Sequence, residues 1–303
     1  MSDASALPEV GARLVVRRTF RQADYDATAA LTGDDNPIHV DPTFAATTRF
    51  GRTLAHGMML YGVTWANVVD GLFGRAGGAG PRARERSHAL RFPGPTFTDE
   101  EMTFTHEVVG SEGARFVVRT ELRRPNGDLA CEAESALVVE GAGDGDVVAP
   151  GDGLVAPALG HANGPAGLAH GAATRTRSFA VGQRAERVRA FTRADLAAYV
   201  ALTRDPSAER QPDAARPEVP GMLLGGLVST LLGTDLPGRG TNWMKQQYTL
   251  LASAPLDVPI TAAVEIVRLR PEKDLVNLRT TAVTADGVAV LDGEALVMAR
   301  ELA

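Results

Sequence analysis

A carboxylate and an imidazole stand five residues apart in Gly33-Asp34-Asp35-Asn36-Pro37-Ile38-His39. An aspartate beside a neutral histidine can work as a general acid/base pair, taking a proton from a water and handing it on. Gly33 frees the backbone, while Pro37 fixes its own φ and pushes Asn36 out of the helical region. The segment therefore reads as a rigid turn rather than as more helix, with both side chains able to point into one cleft. Asn36 lies between them and can orient either the water or the turn. Asp-Asp-Asn-Pro is also a good turn sequence in its own right, so these seven residues alone leave a purely structural reading open.

The surroundings of the motif are more specific. Leu31-Thr32-Gly33-Asp34-Asp35-Asn36-Pro37-Ile38-His39 is followed by Asp41-Pro42, Phe44-Ala45 and His56-Gly57-Met58. In order, from about Phe20 to Tyr61, this closely resembles the signature of the MaoC-like (R)-specific enoyl-CoA hydratases. The resemblance implies a hot-dog fold, an α+β arrangement in which a long helix is wrapped by an antiparallel sheet. It also implies that Asp34 and His39 activate the water added to, or removed from, a thioester-linked acyl chain. The expected partner is then an acyl-CoA or acyl-carrier-protein thioester, with coenzyme A or phosphopantetheine as part of the substrate and no separate cofactor.

The elements needed to hold such a site can be read along the chain. Residues 12–20 form a short strand. Asp24 opens a helix that ends at Gly33, and Pro42 to Thr48 forms a short one. From Gly57 to about Leu72 nearly every residue is apolar or small, as expected of a helix buried on all sides. Strands follow at Ser87–Phe92, Glu101–Val109, Arg115–Leu122 and Leu129–Val139, separated by Gly, Pro and Asn-Gly turns.

The module is then written a second time. Phe20, Asp24, Leu31, Thr32 and Asp34 recur 171 residues later as Phe191, Asp195, Leu202, Thr203 and Asp205. Gly57-Met58-Met59-Leu60 recurs 164 residues later as Gly221-Met222-Leu223-Leu224. A second apolar helix, about Gly221 to Leu232, precedes strands near 242–250, 260–268, 275–284 and 288–299. Internal repetition on this scale points to two copies of one unit, a double hot-dog. The chain divides into an N-terminal module (1–140), a Gly/Ala-rich linker (141–180) without periodicity, and a C-terminal module (181–303). The pair of modules satisfies the dimeric requirement of the fold, so the chain is expected as a monomeric pseudo-dimer or as a homodimer.

The copies differ where the chemistry is. Gly33 becomes Arg204, Asn36 becomes Ser207 and His39 becomes Arg210, leaving only Asp205. Arginine cannot accept a proton near neutral pH. The second module is therefore expected to supply a wall to the first site rather than a site of its own, although Gly221–Gly240 still resembles the single-module hydratases.

Hydration of an enoyl thioester also needs donors aimed at the thioester oxygen, and the N-terminus of a buried helix supplies free N–H groups and a positive dipole end. Gly57 opens that helix and is a candidate for substrate binding, with a tight helix start for packing as the alternative. His56, which flanks it, and Asn36 are the other candidates for substrate binding, with shaping the turn as the leading role of His56. Arg82, Arg84, Arg86 and Arg91, with Arg49 and Arg52 beside the motif, could meet phosphates or an acidic carrier protein, or could simply balance nearby acids. The stretch from Leu236 to Trp243 is a candidate lining for an acyl channel.

Composition narrows the remaining classes. Net charge is −6, from 31 Lys and Arg against 37 Asp and Glu, which argues against a nucleic-acid binder. The single cysteine, Cys131, reads as a small buried residue in a strand. No stretch approaches the apolar length of a membrane span and no basic-apolar leader opens the sequence, so a cytoplasmic protein is expected. His161 and His170 lie apart in the linker, and no His/Cys/Asp group shows ligand spacing, so no metal is expected.

Other hot-dog enzymes, by resemblance, carry their acid on the central helix, where this chain offers only Asp70 near the far end. The alternatives that remain are a dehydratase acting on carrier-bound chains in a polyketide or fatty-acid pathway, one acting on a branched dicarboxylic acyl-CoA, and a hot-dog protein that binds acyl thioesters without turning them over.

Overall fold

The computed structural model describes residues 7–74, 82–140, 178–209 and 217–299. Most of the linker, with His161 and His170, and the second-copy residue Arg210 lie outside the described residues. The N-terminal half runs β1 (Arg13–Thr19), α1 (Gln22–Thr32), α2 (Pro37–Val40), α3 (Pro42–Thr47), α4 (Gly57–Val68), β2 (Arg82–Arg91), β3 (Glu101–Glu112), β4 (Arg115–Arg123) and β5 (Leu129–Glu140). The C-terminal half repeats it as β6 (Arg184–Arg189), α5 (Arg193–Thr203), α6 (Pro206–Glu209), α7 (Gly221–Thr230), β7 (Thr241–Leu250), β8 (Ile260–Arg270), β9 (Leu275–Thr284) and β10 (Ala289–Ala299).

All ten strands form one sheet in the order β1-β3-β4-β5-β2-β7-β10-β9-β8-β6. Read from either edge, the order of the five strands is the same. The halves meet where β2 pairs antiparallel with β7, from Ser87 opposite Thr249 to Arg91 opposite Lys245. A two-fold repeat in sequence has become a two-fold repeat in space.

The apolar helices lie inside the curve of this sheet. Ten of the twelve residues of α4 are buried, so it has no polar face to show to water. Its counterpart α7 is equally enclosed, and the two cross at close range because a glycine of each lies against a methionine of the other, Gly62 against Met222 and Gly225 against Met58. A Cβ on Gly225 would come within 2.5 Å of the Met58 sulfur, and one on Gly226 within 2.5 Å of Thr32 Cγ2. Both helices end in a π-helical turn, Val69–Phe73 and Leu231–Asp235.

Three expectations need correction. The segment after Asn36 is not turn throughout: Asn36 caps the single helical turn α2, with Pro37 in its first position, where a missing N–H does no harm. Strand β2 begins at Arg82, five residues before the expected start, because Arg84, Glu85 and Arg86 hide the alternation. Glu85 is in fact buried against Tyr61 and His88. The strand β6 was not expected at all, since Arg-Ala-Glu-Arg-Val-Arg has little apolar content. Cys131 is buried as expected, and burial pushes its thiol well up.

Candidate active site

Helix α1 ends at Gly33, whose φ of +85° turns the chain sharply into the Asp34 to Asn36 loop. Arg204 holds the matching position of the second copy in the same left-handed conformation. Beyond Gly33, Asp34 is 2% exposed. Its Oδ2 accepts a 2.6 Å hydrogen bond from the Ser229 hydroxyl, which comes from α7 in the other half of the chain. Its Oδ1 is buried and has no hydrogen-bond partner among the described residues. Burial raises the carboxyl pKa, but the neighbouring His39 and His56 imidazoles, the Ser229 hydroxyl and the nearby Asn36 N–H outweigh it, so the group lies below its ordinary value.

His39 rides on α2, and its Nδ1 lies 2.8 Å from the Leu54 carbonyl oxygen. A carbonyl can only accept, so Nδ1 carries the proton and Nε2 is left as the free, basic nitrogen. The loop is pinned from behind: Gln22 donates to the His39 carbonyl and accepts from the Thr53 hydroxyl.

His56 is stacked on His39, ring centroids 3.9 Å apart. Its Nε2 donates to the Asp34 carbonyl at 2.9 Å, so this histidine braces both members of the pair. Burial, then repulsion from His39, lowers its pKa to about 3, leaving it neutral. It lies behind His39 and is not part of the cavity wall. His56, expected from the sequence among the substrate contacts, is placed by the structure against the Asp34 backbone and the His39 ring.

Asp34, Asn36, His39 and Gly57 line one cavity of about 290 Å³. Its opposite wall comes from the second half: Ser229, Leu232, Gly233 and residues 241–244. Trp243 and its neighbours thus reach the cavity, whereas Leu236 is packed in the core. As the first residue of α4, Gly57 has an N–H with no intrahelical acceptor. A Cβ there would lie 2.7 Å from the Phe92 ring, so packing alone is enough to require glycine.

The arginine cluster is elsewhere. Arg84 pairs with Glu218 and Arg91 with Glu132, and Arg52 is tied to Glu100. Arg49 alone of these lines the cavity, its guanidinium 4.6 Å from the Phe50 ring centre. The side chain of Arg82 lies outside the described residues.

Arg84 and Arg86 border a second cavity of about 260 Å³, lined by Asp205, Ser207, Gly221 and Trp65. By the two repeat offsets these are the counterparts of Asp34, Asn36, Gly57 and Ser229, so this is the same cleft in the second copy. Its carboxylate is held by its own module. Asp205 accepts from Tyr199 OH at 2.7 Å, from Ser207 Oγ at 2.6 Å and from the Ser207 and Ala208 N–H groups. Both oxygens are thus engaged within the second module, three bonds converging on Oδ1 and one on Oδ2. Asp205→Asn is expected to leave turnover within about twofold while lowering stability by about 1–2 kcal/mol through mispaired hydrogen bonds. Steady-state rates and urea unfolding test both parts.

One expectation about metal also changes. Ligand atoms of Asp34, His39 and His56 lie within 4.8 Å of one another, a grouping hidden in the sequence. The two rings are stacked at 29°, and one nitrogen of each lies against a backbone carbonyl oxygen, that of Leu54 or Asp34.

Buried neutral histidines give the fold a pH dependence. Burial lowers His106 to about 4 as well as His56 to about 3, while in the unfolded chain both take a proton near the ordinary 6.5. Below that value the unfolded state binds more protons, so stability falls as pH drops from about 6.5 towards 4, by up to about 1.4 kcal/mol per unit for each group. Denaturant midpoints at pH 7, 6 and 5 should show the decline. His106→Gln should remove one of the two contributions and so make it shallower.

Comparison with known proteins agrees with this architecture. The MaoC like domain family matches residues 4–124. An (R)-specific enoyl-CoA hydratase of Aeromonas caviae is 35% identical over 128 residues, covering 40% of this chain and 96% of that enzyme. One from Rhodospirillum rubrum is 42% identical over 78 residues, 26% of this chain and 54% of that enzyme, so the chain spans only about half of it. Over the whole chain the likeness is one of fold. A MaoC-like dehydratase superposes with a TM-score of 0.72 at 14% identity, covering 95% of this chain and 98% of that one. A conserved hypothetical protein of Mycobacterium tuberculosis with a double hotdog fold gives 0.72 at 15% identity, with 96% of each chain covered.

With a family match in the first half and the same fold found from end to end, the chain belongs to the MaoC-like dehydratase and (R)-enoyl-CoA hydratase family, in its double hot-dog form.

Proposed function

We propose that this protein reversibly hydrates 2-enoyl thioesters to (R)-3-hydroxyacyl thioesters, with one site per chain. The N-terminal module supplies the acid/base pair and the C-terminal module the facing wall. The observation that carries this reading is Asp34, with Oδ2 tied to Ser229 and Oδ1 unpartnered among the described residues, beside the basic Nε2 of His39 on the wall of a single cavity.

In the hydration direction the substrate carbonyl lies at the start of α4, where the Gly57 N–H receives negative charge developing on the thioester oxygen. Water held by Asp34 and His39 forms its O–C3 bond as one of its O–H bonds breaks towards the pair. The π electrons move to C2, which takes a proton back from the pair, leaving Asp34 and His39 as they began. Dehydration runs the same steps backwards, so the acyl carrier and the physiological direction depend on what is supplied.

The test is turnover of crotonyl-CoA, followed by loss of enoyl absorbance and chiral analysis of the product. Formation of (R)-3-hydroxybutyryl-CoA is expected. If neither CoA nor carrier-protein forms of any enoyl chain turn over, the protein is a thioester-binding module instead.

A further inference from the structure

We infer that Gly233, a residue of the second half that no sequence motif marks, is a positioning residue whose missing side chain forms the seat of the reacting water. This rests on the hydratase reading of the same cavity. Gly233 lies in the π-helical turn that ends α7, and it lines the cavity opposite Asp34. A Cβ at this position would sit 3.1 Å from Asp34 Oδ1 and 3.6 Å from Asn36 Nδ2. The space a methyl would take is therefore the space next to the unpartnered carboxylate oxygen.

The chemistry around that space is complementary to one water molecule. Ser229 holds Oδ2 at 2.6 Å and so fixes which oxygen faces the gap. Oδ1 is a buried acceptor that has no partner among the described residues, an arrangement that is costly unless something polar fills it. Asn36 uses its own Oδ1 to accept from the Ile38 N–H, which turns its Nδ2 donors towards the same spot. A water there donates to Asp34 and accepts from Asn36, leaving a lone pair to form the bond to C3. Asn36 thus caps α2 and orients the water, two roles between which its sequence position could not choose.

The turn puts glycine here for a reason other than packing density. Where α7 crosses α1 and α4, glycine relieves clashes with Thr32 carbon and Met58 sulfur of the core. At Gly233 the two nearest side chains are both polar and both belong to the cavity. Glycine inside a helix is disfavoured relative to alanine, so a stability cost is retained at a place where only the cavity gains from it.

The experiment is Gly233→Ala in the full chain, with crotonyl-CoA as the probe. A methyl displaces the water but leaves the thioester and carrier contacts, so kcat is expected to fall about a hundredfold, the scale of an ångström-level misplacement, with KM within about twofold. The melting temperature should be unchanged or higher. A rate equal to that of the parent chain would overturn the proposal, as would a loss of activity accompanied by a lower melting temperature or a proportionate rise in KM. Gly233→Ser gives an independent reading: its hydroxyl would take the seat and donate to Asp34 Oδ1 in place of the water, so kcat should fall as far as with alanine. Recovery of activity in the serine variant would also overturn it. If the parent chain itself hydrates no enoyl thioester, the functional reading fails. If the parent is active and the variants match it, only this inference does.

Discussion

Asp34→Asn is expected to cut kcat for enoyl-CoA hydration by about a thousandfold while leaving the fold intact, and His39→Ala to do the same. The amide is nearly the same size as the carboxylate, and one of its ends can still meet the Ser229 hydroxyl, so the cavity wall should keep its shape. What disappears is the negative charge beside Oδ1 and with it the ability to take a proton. Removing the His39 imidazole strips the other basic atom and exposes the face of His56. Because the two groups serve one proton transfer, their effects should not add: the double variant should be little slower than either single one. Single-turnover rates and melting curves for all three check this. Additive losses would mean that the groups act in separate steps.

The second large effect concerns folding. Gly226→Val should destabilise the protein by about 2–3 kcal/mol, a sizeable share of an ordinary domain's margin. A Cβ there meets Thr32 Cγ2 at 2.5 Å and Thr32 Cβ at 3.1 Å, before either extra methyl is counted. Thr32 cannot swing aside easily, since it is β-branched and its hydroxyl is bonded to the Thr28 carbonyl. The strain should also reach the chemistry, because Thr32 lies two residues before Asp34 and its Oγ1 accepts from the Asp34 N–H. Chemical denaturation would show a lower midpoint with an unchanged slope. An unchanged midpoint would mean that the crossing of α1 and α7 is looser than its geometry indicates.

Features set by local chemistry were legible in the sequence. The helix stop at Gly33 and the all-apolar α4 each depend on a few neighbouring residues, and the repeat revealed two similar units. What could not be read depends on contacts between distant residues. Ser229 meets Asp34 across 195 positions of sequence. The only signal was a Ser-Thr pair inside an otherwise apolar helix, where a hydroxyl calls for a partner. The loss of a histidine in the second copy already argued against a second site, but the way its own module engages Asp205 cannot be read without Tyr199, whose hydroxyl bonds one of its oxygens. His56 looked like a flanking residue because stacking on His39 is a matter of how two loops converge. The charged stretches that became β2 and β6 were obscured for another reason. Their strand character comes from backbone pairing with neighbours, and their side chains carry little of it.

The antiparallel seam between β2 and β7 joins two copies that no longer have to be the same. In an assembly of identical subunits, every substitution lands on both sides of the symmetry axis, so a change that improves one wall also alters its twin. Here position 229 can be a serine while its counterpart, position 65, is a tryptophan. Each surface of the cavity can therefore be tuned by a single codon without disturbance to the other cleft, which makes the lining of the occupied side the natural place for selection to reshape substrate preference.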